Sequence, residues 1–525
     1  MRKKRPTRED LMQQSALNYG CSVHAAKGEK IMNINAMMTL TPILFPILTG
    51  FALFSRPIFE DRHVYVGVMT FATSIITFFA AFMTSEELIT LWRITENLSI
   101  SFRFDYPARA FSCLVAFIWP LVTIYAFEYL RRRPPVDRFY AFFLSTFGIL
   151  QGVSCAGNLL TLYLFYELLT FMTLPLVMHS QQREAIRATV FYLLYSLAGA
   201  ALALGGFFFF QVYGVSMDFT LGGVLDMTRI TAEKSESMIL TVTFLTLVGF
   251  GAKAGLVPLH SWLPTAHPVA PTPASAVLSG LITKAGVIAM FRVIYYVVGD
   301  DFLRGTWVQT AVLSMSLLTI FIGSMMAYIE KHLKKRIAWS SVSQVSYAVF
   351  AIMLLTPAGI KGAVLQIASH AMAKSCLFLS AGVVIYFALE GANYHYADQL
   401  LGIGKELPIT MTCFGLASLS LIGLPITGGF TAKWYIASGA LSLGSLGIIG
   451  IIILMISALL TAGYLLPIVT DAFFPGDDFN YSRVAATKLS WNMKIPLLLL
   501  SAGSILTGLF ADYIINFLEK SFIIF

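Results

Sequence analysis

Stretches of roughly 18 to 25 mostly apolar residues alternate with short polar segments from about Met37 to Ile515. Each is long enough to cross a hydrocarbon layer of about 30 Å as a helix. Read between charged or Pro/Gly punctuation, the runs predict about fourteen transmembrane helices, centred near residues 45, 73, 119, 147, 168, 200, 247, 284, 317, 347, 373, 425, 458 and 504. The fold class expected is an all-α polytopic membrane protein. A polar extension covers 1–36, spans one to three 37–130, a five-span unit 131–300, a second five-span unit 301–475, and a loop with the last span 476–525.

Two spans are interrupted. The seventh carries Gly249, Gly251, Gly255 and Pro258; the twelfth, SLIGLPITGGFTAKWYIA, carries Gly423, Pro425, Gly428 and Gly429 beside Lys433. Proline removes a helical hydrogen bond and glycine weakens the helix. In lipid the freed backbone groups must find partners in protein or in a water-filled cavity. The breaks fall in the fourth member of each set of five, spans four to eight and nine to thirteen. That correspondence suggests two inverted five-helix repeats with broken helices seven and twelve, and a working site where the helices break.

Composition agrees with this pattern. The 525 residues are 57% hydrophobic and 12% charged, against about 25% charged in soluble proteins. The net charge of +8 raises nucleic-acid binding as a possibility. The positive residues, however, sit in short loops, Arg131-Arg132-Arg133 with Arg138 and then Lys331, Lys334, Lys335 and Arg336. That is the bias of cytoplasmic loops, so no nucleic acid is expected. Both loops follow odd-numbered spans, which puts both termini on the outer side; the basic N-terminus opposes that orientation. The first 36 residues lack the apolar core of a signal peptide. A cytosolic tail, an interfacial amphipathic segment and a true start at Met32 all remain open. The five cysteines, Cys21, Cys113, Cys155, Cys376 and Cys413, have no Cys-x-x-Cys spacing and read as buried small hydrophobes.

The chemistry lies in charges at membrane depth, each costing some 2.5–3.5 kcal/mol on insertion scales. Glu167 is in the middle of span five, Lys253 in span seven and Lys284 in span eight. His370 and Lys374 share one face of span eleven, and Lys433 follows the break in span twelve. Any one of these alone fits a structural ion pair or a snorkelling lysine. Six groups over five spans point instead to a proton wire, because desolvation lowers a lysine's proton affinity and a neighbouring carboxylate restores it. His260 and His267, flanking a proline-rich loop, read as groups that exchange protons between loop water and the buried lysines. The expected result is a hydrated polar axis from Glu167 through Lys253, Lys284 and Lys374 to Lys433. Carbonyls freed by Gly251, Gly255 and Pro258 would hold its water. No metal-ligand cluster, phosphate loop or dinucleotide fingerprint is present, so no metal and no cofactor are expected on this chain.

The segment KAGLVPLHSWLPTAHPVAPTPASAVLSGLITKAGVIAMFR, together with FRFDYPARAF around Asp105, LYLFYELLT, KKRIAWSSVSQVSY, HAMAKSCLFLSAG and GLPITGGFTAKW, resembles the antiporter-like membrane subunits of the complex I superfamily. That superfamily also takes in membrane-bound hydrogenases and Mrp-type sodium/proton antiporters. The resemblance implies fourteen spans in two inverted repeats, and Glu167 paired with Lys253. It implies Lys284, His370, Lys374 and Lys433 further along the path, with His260 and His267 beside it. It also implies a multi-pass subunit in the cell membrane that translocates protons or sodium. Partner membrane subunits and peripheral redox subunits would carry the electrons. A Mrp-type antiporter subunit is the alternative.

Overall fold

The structure, a computed structural model, describes residues 34–54, 62–95, 98–131, 136–388, 396–476 and 489–519. The questions raised by the N-terminal segment, including Cys21, Arg132 and Arg133, lie outside these residues. The described residues are overwhelmingly helical: α1 Ile34–Ala52, then α2 Arg62–Met83, α3 Tyr106–Leu130, α4 Val136–Ser154, α5 Leu159–Val177, α6 Arg183–Tyr213 and α7 Glu236–Ala254. α8 spans Thr272–Val298. There follow α9 Trp307–Ile329, α10 Leu333–Met353, α11 Pro357–Ala388, α12 Pro408–Ile422, α13 Gly428–Ala440, α14 Gly444–Phe473, α15 Trp491–Leu509 and α16 Ala511–Glu519. Among the described residues eleven helices are long and apolar enough to cross a membrane.

Burial separates core helices from lipid-facing ones. The apolar windows of α8 and α11 are 89% and 83% buried, whereas the stretch Gly428–Phe473 is 22% buried. A helix apolar all round belongs in the middle of a bundle or against lipid, and burial tells which. α11 packs against α8, α10, α12, α13 and α15, so it is the central post. α6 and α7 approach closely because Gly199 and Gly249 face each other: a Cβ on either would run into the other's backbone. This is the small-residue packing that lets membrane helices touch. Gly249 therefore serves contact rather than interruption.

The seventh-span break occurs where α7 ends at Gly255, in the left-handed region at φ 81°, a conformation that glycine takes without penalty. The segment after it is not a loop. Trp262–Val269 is a short helix containing Pro264 and Pro268; Pro264 sits in the first turn, where no backbone donor is needed, and Pro268 forgoes one helical hydrogen bond near the end. At the second break α12 ends at Gly423, φ 93°, and α13 resumes at Gly428. Two further departures from the expected pattern appear. A small antiparallel hairpin, β1 Ile89–Arg93 and β2 Ser99–Phe102, precedes α3. Lys334, Lys335 and Arg336 begin α10 instead of lying in a loop. Lys334 is buried and donates to the Ala270 carbonyl at 3.0 Å, Lys335 pairs with Glu330 at 2.9 Å, and Arg336 donates to the Glu330 carbonyl at 2.6 Å. These charges are engaged by protein, which weakens their use as a marker of orientation. The cysteines behave as expected where described: Cys155, Cys376 and Cys413 are buried and Cys113 is half-buried.

The start of α3 is tied to the end of α8 by a buried ion pair. Asp105 caps α3 by accepting from the Ala108 amide at 3.1 Å. It also receives both Arg292 guanidinium nitrogens, at 2.6 and 2.7 Å. The guanidinium lies over the Tyr296 ring at 4.6 Å and the Phe219 ring at 5.2 Å. Removing one member of such a pair strands the other charge, at a cost of about 3–5 kcal/mol, while replacing both costs far less. Arg292→Met is therefore expected to lower the unfolding free energy of the purified protein by about that amount. Adding Asp105→Asn should recover part of the loss in the same denaturation experiment; a single variant of unchanged stability contradicts the role given to this pair.

Candidate functional site

The ionisable groups singled out above are buried or half-buried in the interior of the bundle, and each ammonium group is held by oxygen atoms. Lys253, in the last turn of α7 and 1% exposed, donates to the Thr170 hydroxyl at 2.5 Å. It also lies 4.3 Å above the Tyr166 ring. Both partners are on α5, flanking Glu167. Glu167 is half-buried, and its Oε1 has no hydrogen-bond partner. The expected direct pair between Glu167 and Lys253 does not form: the threonine hydroxyl has taken the ammonium, and the carboxylate acts on it only through space.

Lys284, on α8, is fully buried and donates to the Ser279 carbonyl at 2.5 Å. Ser279 belongs to a wide π-type turn, Leu278–Ile282, of the kind found at functional positions in helices. Its hydroxyl bonds to the Ser341 hydroxyl at 2.7 Å, and Ser341 bonds to the Ile337 carbonyl at 3.0 Å. That carbonyl also accepts from Lys374 at 2.9 Å. Lys374, on α11 and 0% exposed, donates in addition to the Ser340 hydroxyl. The contacts of Lys284 and Lys374 thus converge through α8, α10 and α11, with Ser279 offering its carbonyl to Lys284 and its hydroxyl to Ser341.

His370, one turn before Lys374, is buried with no hydrogen-bond partner on either ring nitrogen. It lies within electrostatic reach of Lys284, Lys374 and Lys433. Lys433, half-buried on α13, donates to the Leu421 and Ile422 carbonyls at 2.6 and 2.8 Å, and Tyr347 lies beneath it at 5.3 Å. It caps the C-terminal end of α12, where a cation complements the helix dipole.

The two loop histidines part company. His260 is half-buried beside Trp339, with ring centroids 5.6 Å apart. His267 lies inside the short helix, fully buried, stacked on Phe378 at 4.9 Å, with neither ring nitrogen bonded. His267 therefore faces the lysines and not loop water. Near the first break the Ala252 carbonyl accepts from the Trp262 indole at 2.8 Å, the Gly251 carbonyl from the Leu256 amide at 2.9 Å, and the Phe250 carbonyl from the Tyr166 hydroxyl at 3.2 Å. The bulky aromatic groups packed there supply two of these donors.

Sequence reasoning passed over Thr170, Ser279, Ser340 and Ser341, and Arg292. The signal for the serines was present: SSVSQVSY repeats hydroxyls at 340, 343 and 347, one face of a span otherwise expected to be apolar.

With this geometry established, comparison with known proteins is decisive. A family model described as "NADH:quinone oxidoreductase/Mrp antiporter, TM" matches residues 156–461, more than half of the chain. This protein belongs to that family. The family match takes in the residues from Glu167 to Lys433. NADH-quinone oxidoreductase subunit N of Desulforudis audaxviator (strain MP104C) is 32% identical over 429 residues, 78% of this chain and 82% of the relative. Two solved structures share the fold at 21% identity. One is the archaeal membrane-bound sulfane sulfur reductase complex (TM-score 0.79, covering 92% of this chain and 96% of that one). The other is the Mrp complex from Dietzia sp. DQ12-45-1b (0.78; 93% and 97%). The family resemblance drawn from the motifs is therefore correct, and the chain is a multi-pass helical membrane protein.

The Lys253 cradle yields a direct test. A hydrogen bond to a charged group contributes about 1.5–3 kcal/mol. Thr170→Val keeps the shape and removes the oxygen, so it should lower unfolding stability by about that much, while Thr170→Ser should stay near wild type. Equal stability of all three proteins would show that Lys253 is held by something else.

Proposed function

We propose that the chain is an ion-translocating, antiporter-like membrane subunit of an energy-converting oxidoreductase complex, complex I-like or hydrogenase-like, moving protons or sodium while partner subunits transfer the electrons. The observation that carries this reading is the row of Lys253, Lys284, Lys374 and Lys433, each buried or half-buried and each held by neutral oxygens. Ammonium groups without fixed counter-charges are costly in a membrane interior. They are also free to change charge, which a structural ion pair such as Asp105–Arg292 is not. Glu167, unpaired and on the helix that cradles Lys253, is placed to alter the charge of that lysine when it moves or takes a proton.

Within this reading His370 carries protons between Lys374 and Lys433, and His267 buffers the Lys284–Lys374 segment, with His260 at its edge. The helix count would be fourteen, with α12 and α13 forming one broken span, and 131–300 and 301–475 would be the two inverted repeats. The cell membrane is the site of action, with other membrane subunits and peripheral redox subunits as partners. The oxidoreductase branch is favoured by the 32% identity to a quinone oxidoreductase subunit over most of both chains. A subunit of a Mrp-type sodium/proton antiporter is the second reading, supported by the fold shared with the Mrp complex.

Glu167→Gln should abolish ion uptake into inverted membrane vesicles while the complex still assembles, because glutamine keeps the shape and cannot change charge. Wild-type uptake by the assembled variant would remove Glu167 from the path.

A further inference from the structure

Away from the polar axis, an apolar slot of about 530 Å³ opens between α3, α8, α11 and α16, within the size range of ligand sites. Its walls include Phe82, Ala110, Phe117, Phe291 and Ala368, with Met372 at its inner end. Among the described residues that line it, Arg109 alone is charged. The slot runs from Arg109 to Phe117 along α3, about 12 Å, and from Ile360 to Met372 along α11, about 18 Å. That is the reach of a hydrocarbon chain from the membrane surface toward its middle.

The mouth lies at headgroup level on independent grounds. Arg109 sits 4.9 Å over the Tyr106 ring, and Tyr106 touches Phe517 of α16 with ring centroids 5.9 Å apart. α16 is amphipathic: Ala511 and Ile515 are buried against Leu365 and Ala432, while Tyr513 is 74% exposed. A short helix with one apolar face, marked by tyrosine, belongs in the membrane interface. Arg109 donates from Nε to the Phe104 carbonyl at 2.8 Å and from Nη2 to the Thr84 carbonyl at 2.7 Å, and no hydrogen bond from Nη1 is made to the described residues. The Glu86 carboxylate lies within electrostatic reach of Arg109, and Asp105 is the cap one turn before it on α3. Asp105 is taken by Arg292, and Glu86 makes no ion pair with Arg109.

We propose that this slot binds an anionic phospholipid of the surrounding bilayer, with the phosphate against Arg109 and one acyl chain along the slot to α11. An apolar cavity of this size holds no ordered water, and left empty it forfeits the dispersion contacts of its lining. Moving an acyl chain from the bilayer into the slot gains little hydrophobic free energy, since both surroundings are apolar. Selectivity therefore rests on the charge-assisted guanidinium–phosphate contact. The chain's end meets α11 at Met372, between His370 and Lys374 in sequence, so the bound lipid braces the helix that carries the centre of the polar axis. The site itself does not depend on the transport reading.

The test uses the assembled complex, delipidated in detergent and re-equilibrated with equal amounts of phosphatidylglycerol and phosphatidylcholine, with retained lipid counted by mass spectrometry. Wild type should retain phosphatidylglycerol preferentially. Arg109→Gln should reduce that preference roughly tenfold, the loss of one charge-assisted hydrogen bond. Ala368→Phe, which fills the slot and leaves Arg109 in place, should reduce retention of both lipids; it decides the matter if Arg109→Gln fails to assemble. Unchanged preference in Arg109→Gln, unchanged retention in Ala368→Phe, or a density map with a neighbouring subunit's side chains in the slot would each overturn the proposal.

Discussion

An ammonium group inside a membrane must have oxygen atoms waiting for it, and this constraint shapes the interior of the protein. Four lysines meet it in four ways. Lys253 has a threonine hydroxyl on α5. Lys284 has a carbonyl in a π-type turn of its own helix. Lys374 has a carbonyl and a serine hydroxyl of α10. Lys433 has the terminal carbonyls of α12. Among the described residues none has a carboxylate within ion-pair distance. Such cradles satisfy the charged form without fixing it, since a hydroxyl or carbonyl that holds –NH3+ costs little when the proton leaves.

The helix irregularities follow from the same requirement, though differently at each break. At Gly423 the chain turns so that carbonyls of α12 become available, and Lys433 occupies them. At Gly255 the Ala252 carbonyl is taken by the Trp262 indole, and the turn leads into the short helix that carries the buried His267. One break thus holds a charge directly, and the other places a buried, unbonded imidazole within electrostatic reach of Lys284, Lys334 and Lys374. The Asp105–Arg292 pair, by contrast, has matched charges and bidentate geometry at the end of α8, which fixes the helix that carries Lys284.

Much of this was legible in the sequence. Thirteen of the fourteen centres of the apolar runs fall within observed helices, because membrane length and hydrophobicity leave little freedom, and the centre near 425 falls in the break between α12 and α13. Both breaks were visible as glycines and prolines, and the charged residues of the axis as ions inside apolar runs. Hydroxyl partners were not legible, because serine and threonine are ordinary in membrane helices and only their positions across α8, α10 and α11 reveal the link. The helical nature of Trp262–Val269 was hidden by its prolines, which sit at positions where a short helix tolerates them. The burial of Lys334 was hidden by its neighbours Lys335 and Arg336, which made the group look like a surface cluster. The hairpin before α3 was masked by its brevity between two long apolar spans.

Lys284 and Lys374 converge on one another through Ser279, Ser341 and the Ile337 carbonyl, whereas among the described residues no direct hydrogen bond joins Lys253 to Lys284 or His370 to either Lys374 or Lys433. Ion movement along the proposed axis therefore requires water between Lys253 and Lys284 and around His370. A high-resolution density map of the assembled complex in a lipid environment tests this most directly. The account predicts ordered water bridging Lys253 to Lys284, and ordered water at His370 linking it to both Lys374 and Lys433. Dry, side-chain-filled gaps at both places would contradict it, and the buried lysines would then need a structural explanation.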